Sequence, residues 1–247
     1  MLHLDSLSPD KSQLFIAEHM LTHCVPIQRT SWQSTNAPSP ARELHNVVME
    51  FPVPDSLQQW QDLCQPDLPW AEEHFQERVS GQPLNPPPSF IRWPWHSAEE
   101  ASKFLTANKR FDHTYPERYW PRDNLDEEQR RYGDLKDVVR LLRKDMWTRQ
   151  AYLPVWFPED TGTVSGQRVP CTLGYHFTRN GPSLDCNYFL RSCDLTRHYK
   201  NDVYLTGRLL QWMVEQVQKK DGYPYTGRLT VFISNLHLFT SDDWRFK

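Results

Sequence analysis

An α+β fold, built of mostly antiparallel strands packed with helices, follows from three features of this 247-residue sequence. Two segments alternate with period two, 169–177 (VPCTLGYHF) and 183–192 (SLDCNYFLRS). They flank Asn180-Gly181, a dipeptide that favours a tight hairpin, and so predict an antiparallel pair. Helical and extended patterns then follow one another without a regular βαβ repeat, which points away from a parallel sheet. Finally, 38% hydrophobic and 13% aromatic residues supply enough apolar surface for a real core.

The elements are justified in turn. A short helix is expected near Gln13–Leu21, then a Ser/Pro/Asn-rich loop (30–41) and an apolar strand at 44–53, LHNVVMEFPV. A helix is expected from about Leu68 to Val79. In the following GQPLNPPPSFIRWPW (81–95) consecutive prolines forbid helix, while Phe90, Ile91, Trp93 and Trp95 call for burial, so this reads as a covering loop. Leu135, Val138, Val139, Leu142 and Met146 recur at helical spacing between basic residues, predicting an amphipathic helix over 134–146. A strand at 148–157 precedes the hairpin. Asn201 is placed to cap a helix whose apolar face is Val203, Leu209, Leu210, Met213 and Val217, and 228–239 (RLTVFISNLHLF) reads as a last strand. No composition break divides the chain, so residues 1–247 are expected to form one domain.

A formal charge of −3 leaves no basic field for duplex nucleic acid, although local arginines can still hold one phosphate. No apolar run approaches the roughly 18 residues of a membrane span, and the N-terminus has no basic region followed by an apolar one. A cytoplasmic location is the expectation. Five cysteines (24, 64, 171, 186, 193) without a CxxC pair argue against a disulfide framework or a zinc site; reduced thiols and no metal are expected.

A single Cys is more often packing than nucleophile. Cys171 rises above that because a tight hairpin joins its strand to the one carrying Arg191, and a cation beside sulfur favours the thiolate. Cys186 and Cys193 have no such setting. Arg191-Ser192 places a forked cation beside a hydroxyl, which suits a phosphate, with an ion pair to Asp194 as the equal alternative. His237, between Leu236 and Leu238, reads as a structural histidine, and Asp202 as a first-turn helix acid.

Together these residues resemble the thymidylate synthase family. The resemblance covers Asp134 to Phe239 and rests on Pro170-Cys171, then Arg191-Ser192-Cys193-Asp194 after a hairpin, Lys200-Asn201-Asp202 opening a helix, and Asn235-Leu236-His237-Leu238-Phe239 on a late strand. Upstream it is looser: Trp70 to Phe75 looks like the family's helix bearing a catalytic glutamate, and Tyr115 to Trp120 like its tyrosine-tryptophan segment.

The resemblance implies a thymidylate synthase-like fold whose sheet face is used for dimerisation, a pyrimidine nucleoside monophosphate substrate, and 5,10-methylenetetrahydrofolate as co-substrate. Cys171 would add to carbon 6 of the base so that carbon 5 becomes the nucleophile. Glu72 would position water and relay protons, with Glu73 as the alternative. Arg191 and Ser192 would lie at the phosphate end, joined by Arg149 from the partner subunit and by an N-terminal arginine, Arg29 or Arg42, and Asp194 would be a further substrate-binding residue. His237 and Phe239 would meet the sugar, the phenylalanine standing where the family has a tyrosine, and Tyr115 would line the site. At the base, Asp202 matches cytosine: a carboxyl accepts from the 4-amino group and, when protonated, donates to N3. Asn201, one residue earlier, would instead match uracil. Lys200-Asn201-Asp202 is similar to the run found in the family's phage deoxycytidylate hydroxymethylases, which implies a phage-encoded enzyme in the host cytoplasm. The few residues after the last strand favour water as final acceptor. The expectation is therefore deoxycytidylate 5-hydroxymethylation; methylation of deoxyuridylate or deoxycytidylate, hydroxymethylation of the ribonucleotide, and a catalytically reduced nucleotide-binding protein are the alternatives.

Overall fold

In a computed structural model the described residues are 2–5, 7–28, 40–121, 133–161, 168–218 and 223–247. Their elements are β1 (Leu2–Leu4), α1 (Pro9–His23), β2 (Ala41–Pro52), α2 (Leu57–Cys64), α3 (Trp70–Arg78), α4 (Ala98–Ser102), α5 (Tyr115–Tyr119), α6 (Leu135–Lys144), β3 (Tyr152–Pro154), β4 (Thr172–Asn180), β5 (Ser183–Leu190), β6 (Cys193–Asp194), α7 (Tyr199–Val217) and β7 (Tyr225–Phe239). The strands form one mixed sheet in the order β1-β2-β7-β5-β4-β3, with β6 pairing β7 beyond the end of β5. This is the α+β architecture the sequence predicts.

Register and period two together build the core. Phe51, Leu229, Cys186 and Phe177 lie in one row across four strands, and Met49, Val231, Tyr188 and Tyr175 in the next. All eight are buried, and they form the sheet face that meets the helices. Against that face α7 is buried on nearly every side, so its interior has little room. At Gly207 a Cβ would come within 2.3 Å of the Trp60 indole, whose Nε1 donates to the Tyr204 carbonyl at 3.0 Å. The opposite sheet face carries half-buried Val48, Phe232 and Phe189, the two phenylalanine rings stacked 5.0 Å apart.

The hairpin forms as expected, with a shifted turn. Asn180 pairs with Ser183, so Gly181, at φ 56°, and Pro182 are the turn residues and Asn180 ends the strand. The expected strand over 148–157 shrinks to Tyr152–Pro154, an edge strand that pairs only with β4 and ends at a proline, whose missing N–H cannot continue a ladder. The covering segment holds a 3-10 turn, Pro88–Arg92; Phe90, Trp93 and Trp95 are half-buried, but Ile91 is exposed. Helix α2, capped by Ser56, is an element the sequence pattern does not predict. The start of α7 also differs: the helix begins at Tyr199, and the Asn201 side chain, instead of capping it, accepts from the Asp67 N–H at 3.0 Å and donates to Asp67 Oδ2 at 2.8 Å.

Candidate active site

The topology brings three strand ends together. Because β4 and β5 are antiparallel and β5 and β7 parallel, the start of β4 and the ends of β5 and β7 lie at the same end of the sheet's strands. There a cavity of about 470 Å³ opens between the sheet, the start of α7, α3 and the aromatic segment around Trp93. Volumes of this order hold small-molecule ligands.

Cys171 sits immediately before β4, and its carbonyl accepts from the Arg191 N–H at 2.9 Å, which ties the two predicted residues together across the hairpin. Arg191 Nη2 stands 3.9 Å from the Cys171 sulfur, while its Nε and Nη2 donate to the carbonyls of Pro170 and Val169. Arg191 favours the thiolate, as expected, but it is outweighed. Burial pushes the Cys171 thiol up, outweighing the opposing pull of Arg191 and Arg168, and Asp202 and Asp194 add to the upward push. In the ligand-free cavity the group is a thiol.

Asp202, on the first turn of α7, also lines the cavity. Its side chain's one hydrogen-bond partner among the described residues is the Cys193 thiol, 4.0 Å from Oδ2. Burial raises its pKa from 3.8 to about 7, against the attraction of Arg78 and with the help of Asp194. Asn201 touches the cavity but its amide is held by Asp67. Tyr115 lines the cavity too; its hydroxyl is joined to Thr172 Oγ1, itself joined to the Tyr188 hydroxyl, at 2.9 Å in each link.

Ser192, Asp194, His237 and Phe239 complete the sheet-side wall. Ser192 Oγ lies 3.5 Å from His237 Nδ1. Asp194 is occupied: Oδ1 accepts from the N–H groups of Thr196 and Arg197, and Oδ2 pairs with Arg197 at 2.9 Å. It shapes the turn into α7. Cys193, read from the sequence as structural, is buried and also borders the cavity.

Four expected residues, Glu72, Glu73, Arg149 and Arg42, lie elsewhere. Glu72 accepts from the Tyr204 hydroxyl at 2.7 Å and pairs with Arg208 at 3.0 Å, outside the cavity. Burial works against that carboxylate, but hydrogen bonds from Arg208, Tyr204 and Gln76 win and hold its pKa low. Glu73 pairs with Arg92 at the surface. The α3 side chains that reach the cavity are Trp70, His74 and Arg78, spaced by four on one face. Arg149 is exposed and does not line the cavity within one chain. Arg42 pairs with Asp243 at 3.0 Å and donates to the Cys24 carbonyl, while Arg29 lies outside the described residues.

Sequence reading also missed cavity residues. Arg168, three positions before Cys171, lines the cavity with its guanidinium 4.7 Å above the Phe104 ring, and no carboxylate pairs with it among the described residues. Its signal was proximity to Cys171. Trp93 and Phe111, nearly parallel with centroids 5.4 Å apart, line the opposite wall with Trp95 and Phe104. These flat apolar faces suit a flat ring.

A thymidylate synthase family model matches residues 91–242, more than half of the chain, and the chain belongs to that family. A search of the curated proteins finds no match. The family is one of transferases that act at carbon 5 of pyrimidine nucleotides with methylenetetrahydrofolate as donor. Among the described residues no helix is long and apolar enough to cross a membrane.

Proposed function

We propose that the protein is a deoxycytidylate 5-hydroxymethyltransferase. Asp202 carries this reading: a half-buried carboxyl that loss of solvation keeps protonated up to about pH 7, bordering the cavity with almost no protein partner among the described residues. Protonated, it donates to N3 of cytosine and accepts from the 4-amino group. Uracil presents the reverse pattern, and the neighbouring amide that would match it, Asn201, is spent on Asp67.

The remaining wall supports the same substrate. Arg191, Ser192 and Arg168 stand together near Cys171 and offer two cations and a hydroxyl to the phosphate. Arg168 in this chain and Arg149 of a second copy supply what the family's paired arginines would. His237 and Phe239 border the sugar. Methylenetetrahydrofolate, held against Trp93, Trp95 and Phe111, supplies the one-carbon unit. Cys171 loses its proton once substrate is bound, and its sulfur adds to carbon 6, making carbon 5 the nucleophile. Homodimerisation through the open sheet face, with the Phe189–Phe232 stack at its centre, belongs to the same proposal.

The test is direct. The protein is incubated with deoxycytidylate or deoxyuridylate and methylenetetrahydrofolate, and the product masses are read. A 5-hydroxymethyl deoxycytidylate is expected; a methylated deoxyuridylate as the main product would sink the proposal.

A further inference from the structure

On α3 the cavity meets a side chain that the reading above leaves unused. His74 is buried, stacks on Trp70 with centroids 5.2 Å apart, and borders the cavity. Its Nδ1 lies 3.0 Å from Glu77 Oε2, one helical turn on. Glu77 is itself clamped: Oε1 accepts from the Ser89 N–H and Oε2 from the Ser89 hydroxyl, both at 2.6 Å. Burial opposes its charge, yet the hydrogen bonds from His74 and Ser89 hold its pKa below the ordinary value. An ionised Glu77 fixes the tautomer, since Nδ1 must carry the proton to donate to it. The Nε2 lone pair then has no partner among the described residues, and that nitrogen is not among the atoms sealed from solvent.

We infer that His74 is the general base for the water that completes hydroxymethylation, and that Glu77, anchored by Ser89, is its positioning residue. The inference rests on the hydroxymethyltransferase reading and deepens it. Once the one-carbon unit is on the base as an exocyclic methylene, with Cys171 bonded to carbon 6, a water oxygen bonds to the methylene carbon. The water O–H breaks and its proton goes to Nε2. The methylene double-bond pair moves to carbon 5 and restores the ring's 5,6 double bond as the carbon–sulfur bond breaks, its electrons leaving on the Cys171 thiolate. The imidazolium forms against the Glu77 carboxylate and later returns its proton to solvent. This is the proton work the sequence assigned to Glu72, which faces Arg208 instead.

The charged groups that face His74 are Glu77 and Arg78 of its own helix; the segment packed on it contributes the uncharged Ser89, while Arg92 turns to Glu73. Burial and Arg78 lower the pKa of His74 to about 4, and Glu77 opposes them. The ring is therefore a neutral base at every pH above about 4.

The experiment uses the full chain, deoxycytidylate tritiated at carbon 5, methylenetetrahydrofolate, and enzyme in excess. In His74→Gln, tritium release in the single turnover stays within about 3-fold of wild type. Hydroxymethylated product forms on the order of 100-fold more slowly, the usual worth of a general base. In Glu77→Gln, which keeps the imidazole, the product rate falls about 10-fold and its acidic limb moves to lower pH, because the group that raised the His74 pKa is gone. Independently of activity, NMR titration of the ligand-free protein finds the His74 ring near 4 in wild type and lower in Glu77→Gln. Product formation in His74→Gln within about 3-fold of wild type, or a Glu77→Gln profile identical to wild type, overturns the inference and leaves the cytidylate reading intact. A wild-type protein that releases no tritium overturns the reading of the site itself.

Discussion

The cavity has two walls that answer differently to sequence reasoning. The sheet-side wall, with Cys171, Arg191, Ser192 and His237, lies inside the region matched by the family model, residues 91–242. The α3 wall, with Trp70, His74 and Arg78, lies upstream of it. On the sheet side a short motif fixes position, because hairpin register leaves one arrangement in which Cys171 and Arg191 meet. On a helix each residue turns the side chain by about 100°, so a choice between Glu72 and His74, two residues apart, moves the chosen group to another face. The resemblance of Trp70 to Phe75 to a glutamate-bearing helix points to Glu72, and helical phase puts that side chain against α7.

The sheet-side wall is broken most completely at Cys171. Cys171→Ala is expected to abolish both tritium release from carbon 5 and product formation, by at least about 10³-fold, because among the described residues no other thiol at the cavity stands beside a cation. The neighbouring Cys193 sulfur faces Asp202 instead. Turnover that survives would remove the nucleophile from this wall.

Asp202→Asn comes next, with an expected loss of about 10- to 100-fold in deoxycytidylate turnover and a gain for deoxyuridylate. The pH dependence sharpens the point. Wild-type deoxycytidylate binding should weaken as pH rises through about 7, when the carboxyl loses the proton it donates, whereas the amide variant should show no such limb. Stability follows the same group. Its folded pKa is raised from 3.8 to about 7, so the penalty of burying the charge is absent below the lower value and complete above the upper one. At alkaline pH that penalty is on the order of 4 kcal/mol, and thermal melts should show Asp202→Asn gaining on wild type between about pH 4 and 7. A constant difference across that range would mean that the carboxyl does not titrate there.

Arg168→Ala tests the phosphate end. Losing one charge-assisted contact should raise the KM for nucleotide about 10-fold and leave kcat nearly unchanged, because the phosphate is held alike in the ground and transition states. A fall in kcat with KM unchanged would instead place Arg168 at the reacting atoms. Adding deoxyuridylate as a second substrate separates the two roles, since the phosphate is common to both bases.

Legibility in the sequence followed the range of the interactions. The strands at 44–53, 183–192 and 228–239, and the helix at 134–146, were readable because their periodicity is local. The role of Asn201 was not: its amide answers to Asp67, more than a hundred residues upstream, and no local cap rule reports that. Arg168 and the aromatic wall were hidden for the same reason, since only the closed chain shows that no carboxylate pairs with the Arg168 guanidinium among the described residues.

The smallest expected effect is the sharpest test of the α3 wall. Glu72→Gln should leave hydroxymethylation within about 3-fold of wild type, because the carboxylate touches Arg208 and Tyr204 and not the cavity. Its cost should appear in stability. Arg208 is mostly buried and loses the anion that balances it, while partial exposure of Glu72 lets water screen the pair, which limits the loss to about 1 kcal/mol. Urea melts and single-turnover kinetics on the same preparation read both quantities. A variant as stable as wild type but slowed about 100-fold would return the catalytic role to Glu72 and would require α3 to turn by half its circumference when substrate binds.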